Sequence, residues 1–426
     1  MRRKENRENK RSHTHTHTHA HTPSWNRSMT DSDKRYEVVI RWLFAFVALA
    51  GIATIAGLIM LWPDGEGQKQ IEENAEEIGL VAELLSATVE EVQDSVCSYS
   101  FSGESELCRN VIITVNEGPE AGSLVALPEV NTSFDHTFPE LSAGENVIVG
   151  YHEDINTYYY EDRDRRSSLW WLALLFAALV ICLARIRGLL ALFAMAGTVL
   201  VLIGFVAPSV LDGNNPLLVC VVAAASIAFF SLYFTHGLTV MTTVALAGTL
   251  IALGFTLGIS WIFFELANFS GFSSEESLVL PLISESLDLR GLLLGGTILA
   301  ALGALDDVTV TQAATVLELS AQNSEMSATQ LVRSGLKIGR EHIASTVNTL
   351  LLAYVGSSIP LLLLFAVSDQ SLGLVANSEL ISIEIVRTLC GSIGLVAALP
   401  LTTVLAAFLV SGKRKKSSFD NLGNQG

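Results

Sequence analysis

Cysteine is scarce in these 426 residues: there are five, and none shows the spacing that holds a metal. Catalytic signatures are missing as well. No Walker loop, no Gly-x-Ser-x-Gly elbow and no His-Glu-x-x-His pair occurs, and outside the N-terminal tail the histidines stand scattered at His136, His152, His236 and His342. An enzyme, a cofactor and a bound metal are therefore not expected. Charge is also thin, at 16% of residues, and its basic share is small: 26 Lys and Arg against 43 Asp and Glu give a net of −17. That balance excludes nucleic acid as a partner.

What the chain has instead is apolar length. Half of its residues are hydrophobic and the mean hydropathy is +0.45. Crossing roughly 30 Å of hydrocarbon takes about 20 apolar residues, and eight runs approach this. They are Val38–Trp62, Leu169–Ala184, Leu189–Ala207, Leu217–Phe234, Leu238–Phe264, a run from Leu292 to Asp306 and Asp307, Ile343–Phe365, and Leu389–Val410. The expected fold is an all-α polytopic membrane protein of about eight transmembrane helices, with the lipid bilayer as its main partner.

Lys and Arg on short flanks mark the cytoplasmic side. Alternation puts the basic N-terminal tail, Arg185 and Arg187, the stretch Arg333–Arg340 and Lys413–Lys416 all inside, so both termini are expected in the cytoplasm. Arg163, Arg165 and Arg166 fall outside, diluted by Glu161, Asp162 and Asp164. The expected organisation is a disordered His-rich basic tail (1–37), a first crossing (38–62), an acidic extracytoplasmic domain (63–168), crossings two to eight (169–411) and a basic cytoplasmic tail (412–426). Between Pro63 and Ser168 there are 23 acidic and 5 basic residues. The imbalance of the whole chain therefore belongs to this one segment.

Within it, Gln68–Leu85 spaces Ile71, Ile78, Val81, Leu84 and Leu85 between glutamates, which predicts an acidic amphipathic helix. Over 88–160 short β-favouring runs follow, at Val89–Val92, Asn110–Val115, Ser123–Leu127 and Asn146–Tyr151, and turn signals separate them. A small β-barrel or sandwich is expected. Cys97 and Cys108 lie on this oxidising side, where a disulfide between them is the natural reading. Cys182, Cys220 and Cys390 fall in apolar runs as inert filler. In the N-terminal tail, His13, His15, His17, His19 and His21 alternate with Thr and Ala. Such imidazoles can share a soft divalent ion, but no acidic or cysteine partner completes a geometry, and a low-complexity repeat is the plainer reading.

Unusual polarity gathers between Gly291 and Leu364. Asp306 and Asp307 sit on an apolar run, Gln312 and Glu318 follow at helical spacing, and Arg340, Glu341, His342, Asn348 and Tyr354 lead into and through the next crossing. This stretch resembles the YibE/F-like multispanning membrane proteins of bacteria. The resemblance is carried by Gly303-Ala304-Leu305-Asp306-Asp307-Val308, Ala314–Leu319, Ile338-Gly339-Arg340-Glu341-His342, Asn348-Thr349-Leu350 and Ala353-Tyr354. Tyr160, Asp162 and Arg165 look like a further part of the pattern, which extends over about residues 88–410. It implies a bacterial plasma-membrane location. The last five crossings are also distantly similar to half of a resistance-nodulation-division transporter, where an Asp-Asp pair carries protons. That likeness implies the same part for Asp306 and Asp307 here, although no intramembrane lysine accompanies them.

An Asp at the centre of a membrane helix costs about 2.5–3.5 kcal/mol on insertion scales, so a buried pair implies a use. Asp306 lies about 14 residues beyond Leu292, roughly 21 Å along a helix, past the midplane. The competing reading is structural: either Asp is a favoured N-cap for a cytoplasmic helix starting at Val308. Arg340, Glu341 and His342 read more plainly as membrane-edge residues, and Asn348 as a hydrogen-bond bridge between helices rather than a substrate ligand. Gly254/Gly258 and Gly291/Gly295 have the spacing of close helix packing. Two functions follow as expectations. One is a proton-coupled permease or exporter of an unknown small-molecule substrate, with the polar set above as its relay. The other is a non-transporting scaffold that binds an extracytoplasmic protein, or a second copy of itself, through the acidic domain.

Overall fold

The computed structural model describes residues 31–77, 83–98, 106–118, 120–133, 135, 137–152, 156–272, 275–284, 287–367 and 371–422. The alternating histidines, 13–21, lie outside these. The helices are α1 (Asp31–Met60), α2 (Glu66–Glu77), α3 (Arg166–Val201), α4 (Ala207–Leu211), α5 (Pro216–His236) and α6 (Val240–Leu266). They continue with α7 (Glu275–Ile283), α8 (Leu289–Gln322), α9 (Ala328–Ser357), α10 (Ile359–Val367), α11 (Leu372–Asn377) and α12 (Glu379–Leu422). Among the described residues, six helices are long and apolar enough to cross a membrane: α1, α3 running on through α4, α5, α6, α8 and α12. The bent pair α9–α10 makes a seventh if it acts as one span.

Helices outrun the apolar runs that predicted them. α1 starts at Asp31 rather than Val38, and α12 runs from Glu379 through the basic stretch to Leu422. A helix satisfies its own backbone, so caps end it and a change of polarity alone does not. At the start of α8, the Asp288 carboxylate accepts the Gly291 amide at 2.8 Å. At the start of α9, Ser327 and Gln330 form a reciprocal capping box. α9 stops where Pro360 has no N–H to return to the Gly356 carbonyl. The Ser357 and Ser358 hydroxyls both donate to the Tyr354 carbonyl, at 2.8 and 3.2 Å, and α10 leaves at 66°.

α3 contains a break of a different kind. Arg185 has φ 53°, and the Val180 carbonyl comes so close to Gly188 that no Cβ fits between them. Residues eight apart in a straight helix stand about 12 Å apart, so the chain doubles back here, between the two apolar runs read from the sequence.

Polar contacts gather several helix ends at one end of the bundle. The Ser209 hydroxyl donates to the Leu61 carbonyl at 2.7 Å, and Asp212 accepts the amides of Gly65 (2.8 Å) and Gln68 (3.0 Å). Arg290 pairs with Glu265 at 2.8 Å. Glu379 accepts the amide and hydroxyl of Ser270, both at 2.7 Å, and the Gly271 amide at 3.1 Å. At the opposite end Arg187, His236, Gln322 and Ile338 border one crevice.

The Asp212 contact has a measurable consequence. Burial alone would push its carboxyl up, yet the amides of Gly65, Gln68, Asp64 and Gly67 together hold it below the usual carboxylate range. A depressed value in the folded state stabilises above the unfolded value of about 3.9 and is lost as pH falls through the folded one. Asp212→Ala is expected to remove about 1–3 kcal/mol of stability at neutral pH, measured as a drop in thermal midpoint in detergent. That drop should shrink only in acid, as the pH falls below the unfolded value of about 3.9 and on through the still lower value of the folded carboxyl.

Residues 83–163 form a six-stranded antiparallel sheet: β1 (Glu83–Val96), β2 (Leu107–Val115), β3 (Leu124–Ala126), β4 (Val130–Asn131), β5 (Asn146–His152) and β6 (Thr157–Arg163). Its order is β3-β2-β1-β5-β6, with β4 also pairing with β2. This is one open sheet rather than the expected barrel or sandwich, because β3 and β6 end the path unpaired with each other. Two boundaries also move. The predicted helix 68–85 is helical as far as Glu77, and Leu84 and Leu85 belong instead to β1, where Leu85, Ala87 and Val89 alternate into a core with Val111, Ile113, Val147 and Val149. Residues 78–82 lie outside the described set. β6 was missed because Tyr158–Arg163 mixes aromatics with charges.

Cys97 and Cys108 are joined as a disulfide, 11 residues apart, beside the paired ends of β1 and β2. Closing so short a loop removes unfolded-state freedom worth about 3 kcal/mol. Cys97→Ser with Cys108→Ser is expected to speed amide exchange across β1 and β2 while leaving α6, α8 and α12 unchanged, read by hydrogen–deuterium exchange.

Candidate functional site

α6, α8 and α12 pack at the centre of the bundle, and their contacts are made by small residues. Gly248 of α6 lies against Thr402 of α12, and Gly394 of α12 lies against Thr256 of α6. Both pairs sit eight residues apart, the signature of an antiparallel register in which each helix offers the other a glycine for a threonine. A helix surface without side chains lets backbones approach, which is how helices associate where lipid removes the hydrophobic drive. Of the two glycine pairs with packing spacing, Gly254 and Gly258 face open space, whereas Gly295 of the other packs on Cys220 of α5. Another glycine pair, Gly335 and Gly339 of α9, receives Gln312 of α8.

The seam these helices make is polar. Thr249 and Thr309 are completely buried and their hydroxyls bond at 2.7 Å. The Thr402 hydroxyl is buried with no partner among the described residues. Gln312, 3% exposed, donates from Nε2 to the Thr403 hydroxyl at 2.7 Å.

Asp306 sits in this seam. α8 passes through it without a break, so the reading of Asp306 or Asp307 as the N-cap of a helix starting at Val308 is overturned. Its side chain lies beside the Thr249 hydroxyl, and Oδ1 is a buried atom with no hydrogen-bond partner among the described residues. Thr249 is nine residues into α6, about 14 Å along the helix, so Asp306 stands well away from either end of the bundle. A carboxyl so placed can hold a proton, hand it to a neighbouring hydroxyl or water, and exchange its state with a rearrangement of the helices around it.

Its neighbour faces the other way. Asp307 is 67% exposed, and its Oδ2 lies 3.7 Å from Nε2 of His342 on α9. The structure thus brings together two of the sequence's candidates from either side of the α8–α9 turn. Other candidates stay apart. Arg340 and Glu341 are exposed and without ion pairs among the described residues. Asn348 is exposed and makes no side-chain hydrogen bond there, so it is not the interhelical bridge expected of it. Glu318 is exposed on α8 and accepts Gln322 Nε2 at 3.0 Å. Tyr354 lies within electrostatic reach of an ion pair that sequence reading passed over, Arg387 to Glu384 at 2.8 Å. Both charges are inside α12, just before the apolar run at Leu389, and opposite charges three residues apart on a helix face were the available signal.

The threonines were missed as well. Thr242, Thr249 and Thr256 recur every seven residues along α6 and all are fully buried, a stripe legible in the sequence as a polar seam on an apolar helix.

The set Asp306, Asp307, Gln312, Gly339 and His342 falls within the part of the chain, residues 172–412, that matches a family model described as YibE/F-like protein. The match takes in the bundle from α3 onward and leaves out the sheet and the Tyr160, Asp162 and Arg165 run. No curated protein and no solved structure matches. Its long apolar helices make the chain a multi-pass membrane protein, and a family match over more than half its length makes it a member of the YibE/F-like family.

Proposed function

We propose that this chain crosses a bacterial plasma membrane eight times, with both termini in the cytoplasm and the sheet outside, and moves a small-molecule substrate in exchange with protons carried by Asp306. The eight crossings rest on the hydrogen bonds of Asp212 and Ser209, which tie the end of α4 to the end of α1. If the sheet starts and ends on one side, α3 has to cross twice to bring Asp212 there, and it turns at Arg185. α9 with α10 supplies the remaining crossing. Arg185, Arg187, Arg333 and Lys337 then share the end that the positive-inside rule assigns to the cytoplasm.

The observation that carries the transport reading is the unpartnered Asp306 oxygen in a threonine-lined seam at the centre of three closely packed helices. A carboxylate retained at such a place marks an ion or proton path. Asp307 and His342 are the groups through which that proton reaches cytoplasmic water. The test uses proteoliposomes with a trapped pH dye, an imposed pH gradient and a bacterial small-molecule extract that supplies the exchanged solute. Wild-type chain should dissipate the gradient, Asp306→Asn with Asp307→Asn should not, and a chain lacking residues 89–154 should still do so. A wild-type chain that moves no protons, with partner capture lost on deleting 89–154, returns the scaffold reading instead.

A further inference from the structure

The crevice at the Arg187 end of the bundle is a separate feature, and its chemistry does not depend on the transport reading. It encloses about 780 Å³ between the turn of α3, the end of α5, the start of α6, α8 and α9, within the range of small-molecule sites. Its wall is mixed: Met241, Val310, Leu319 and Ile338 are apolar, whereas His236 and the threonines beside them are polar. Its lining carries both signs of charge, in Arg187 and Glu318.

Neither charge is used up by the protein. Arg187 has no hydrogen bond or ion pair among the described residues, and Glu318 accepts from Gln322 alone, at 3.0 Å. A guanidinium presents a planar fork that fits phosphate oxygens, and a carboxylate with free lone pairs accepts from an ammonium. A lining that mixes these polar groups with four large apolar side chains suits an amphiphile, whose head and chains need different partners. A purely anionic amphiphile would meet the Glu318 charge.

We propose that this crevice binds a zwitterionic phospholipid with a primary-amine headgroup, its phosphate on Arg187, its ammonium on Glu318 and its acyl chains along the Met241–Ile338 wall. A primary ammonium can donate hydrogen bonds to Glu318, which a quaternary ammonium cannot, so the site discriminates phosphoethanolamine from phosphocholine lipids. The same headgroup chemistry is available from free phosphoethanolamine, which lacks the chains that the wall requires.

The test is lipid retention by the full chain in detergent, read by native mass spectrometry. Phosphatidylethanolamine, phosphatidylcholine and phosphatidylglycerol with identical acyl chains are compared. The ethanolamine lipid should be retained about tenfold better than either of the others. Glu318→Gln should bring ethanolamine and choline lipids to equality, and Arg187→Gln should weaken both about tenfold. Both side chains are exposed, and an unchanged thermal midpoint confirms that the variants fold. Equal retention of the three lipids, a preference for phosphatidylglycerol, an ethanolamine preference that survives Glu318→Gln, or displacement by free phosphoethanolamine at equal concentration would each overturn the proposal.

Discussion

Asp306→Asn is expected to lower proton-driven flux by at least about a hundredfold, the scale on which losing a positioned proton-transfer group acts, while the protein still folds. Asparagine has the same shape and still reaches the Thr249 hydroxyl that lies beside Asp306. It cannot take up and release a proton. Asp307→Asn should cost about tenfold or less, because Asp307 is two-thirds exposed and its work of passing protons toward His342 can be shared with water. His342→Gln should match Asp307→Asn, and the two changes combined should do little more than either alone, as expected of residues acting through one contact. Flux measured in proteoliposomes, with each variant's unfolding midpoint as a control, separates these outcomes. A larger loss from Asp307→Asn than from Asp306→Asn would reverse the roles assigned to the two carboxyls.

The second large effect is structural. Gly248→Val is expected to prevent α6 and α12 from closing, because the new side chain would occupy the space of the Thr402 hydroxyl. Thr402 is fully buried and β-branched, so its side chain has few rotamers into which to move. Overpacking of this kind costs about 1–3 kcal/mol or more, and here it also pries open the seam that holds Asp306. Gly254→Val, two turns further along the same helix and facing open space, should be nearly silent. The contrast is read as the yield of monodisperse protein in detergent. Equal tolerance of the two changes would mean that α6 and α12 do not meet in the described register.

These two glycines also show where sequence reading reached its limit. Spacing pointed to Gly254 and Gly258 as much as to Gly291 and Gly295, but only Gly295 meets another helix, because spacing tells which residues share a helix face and nothing about which face meets a neighbour. The apolar runs were legible because membrane thickness sets their length, and the break in α3 was legible because Arg185 and Arg187 interrupt its run. The start of β1 was not, since Leu84 and Leu85 extend a helical pattern and only pairing with β5 makes them a strand. Asp306, Asp307 and His342 were each visible as polar residues on apolar segments. That Asp306 turns into the bundle while Asp307 turns to α9 depends on tertiary packing, as does the approach of Gln312 to Thr403 across 91 residues. Thr249 and Thr402 carry little signal alone, because a threonine can turn its hydroxyl to its own helix, and nothing in the sequence tells that Thr249 reaches Thr309 instead.

The most direct test of the account is the aqueous accessibility of single cysteines placed along α8, in a chain whose Cys182, Cys220 and Cys390 are replaced by serine and whose Cys97–Cys108 disulfide is kept. Intact, right-side-out cells and inverted vesicles are treated with a membrane-impermeant maleimide. Cysteine at position 288 is expected to react only from outside, at position 322 only from the cytoplasmic side, and at position 306 from neither. Ready labelling of position 306 from the cytoplasm would place the carboxyl at the membrane surface and contradict its role as a proton carrier within the bilayer.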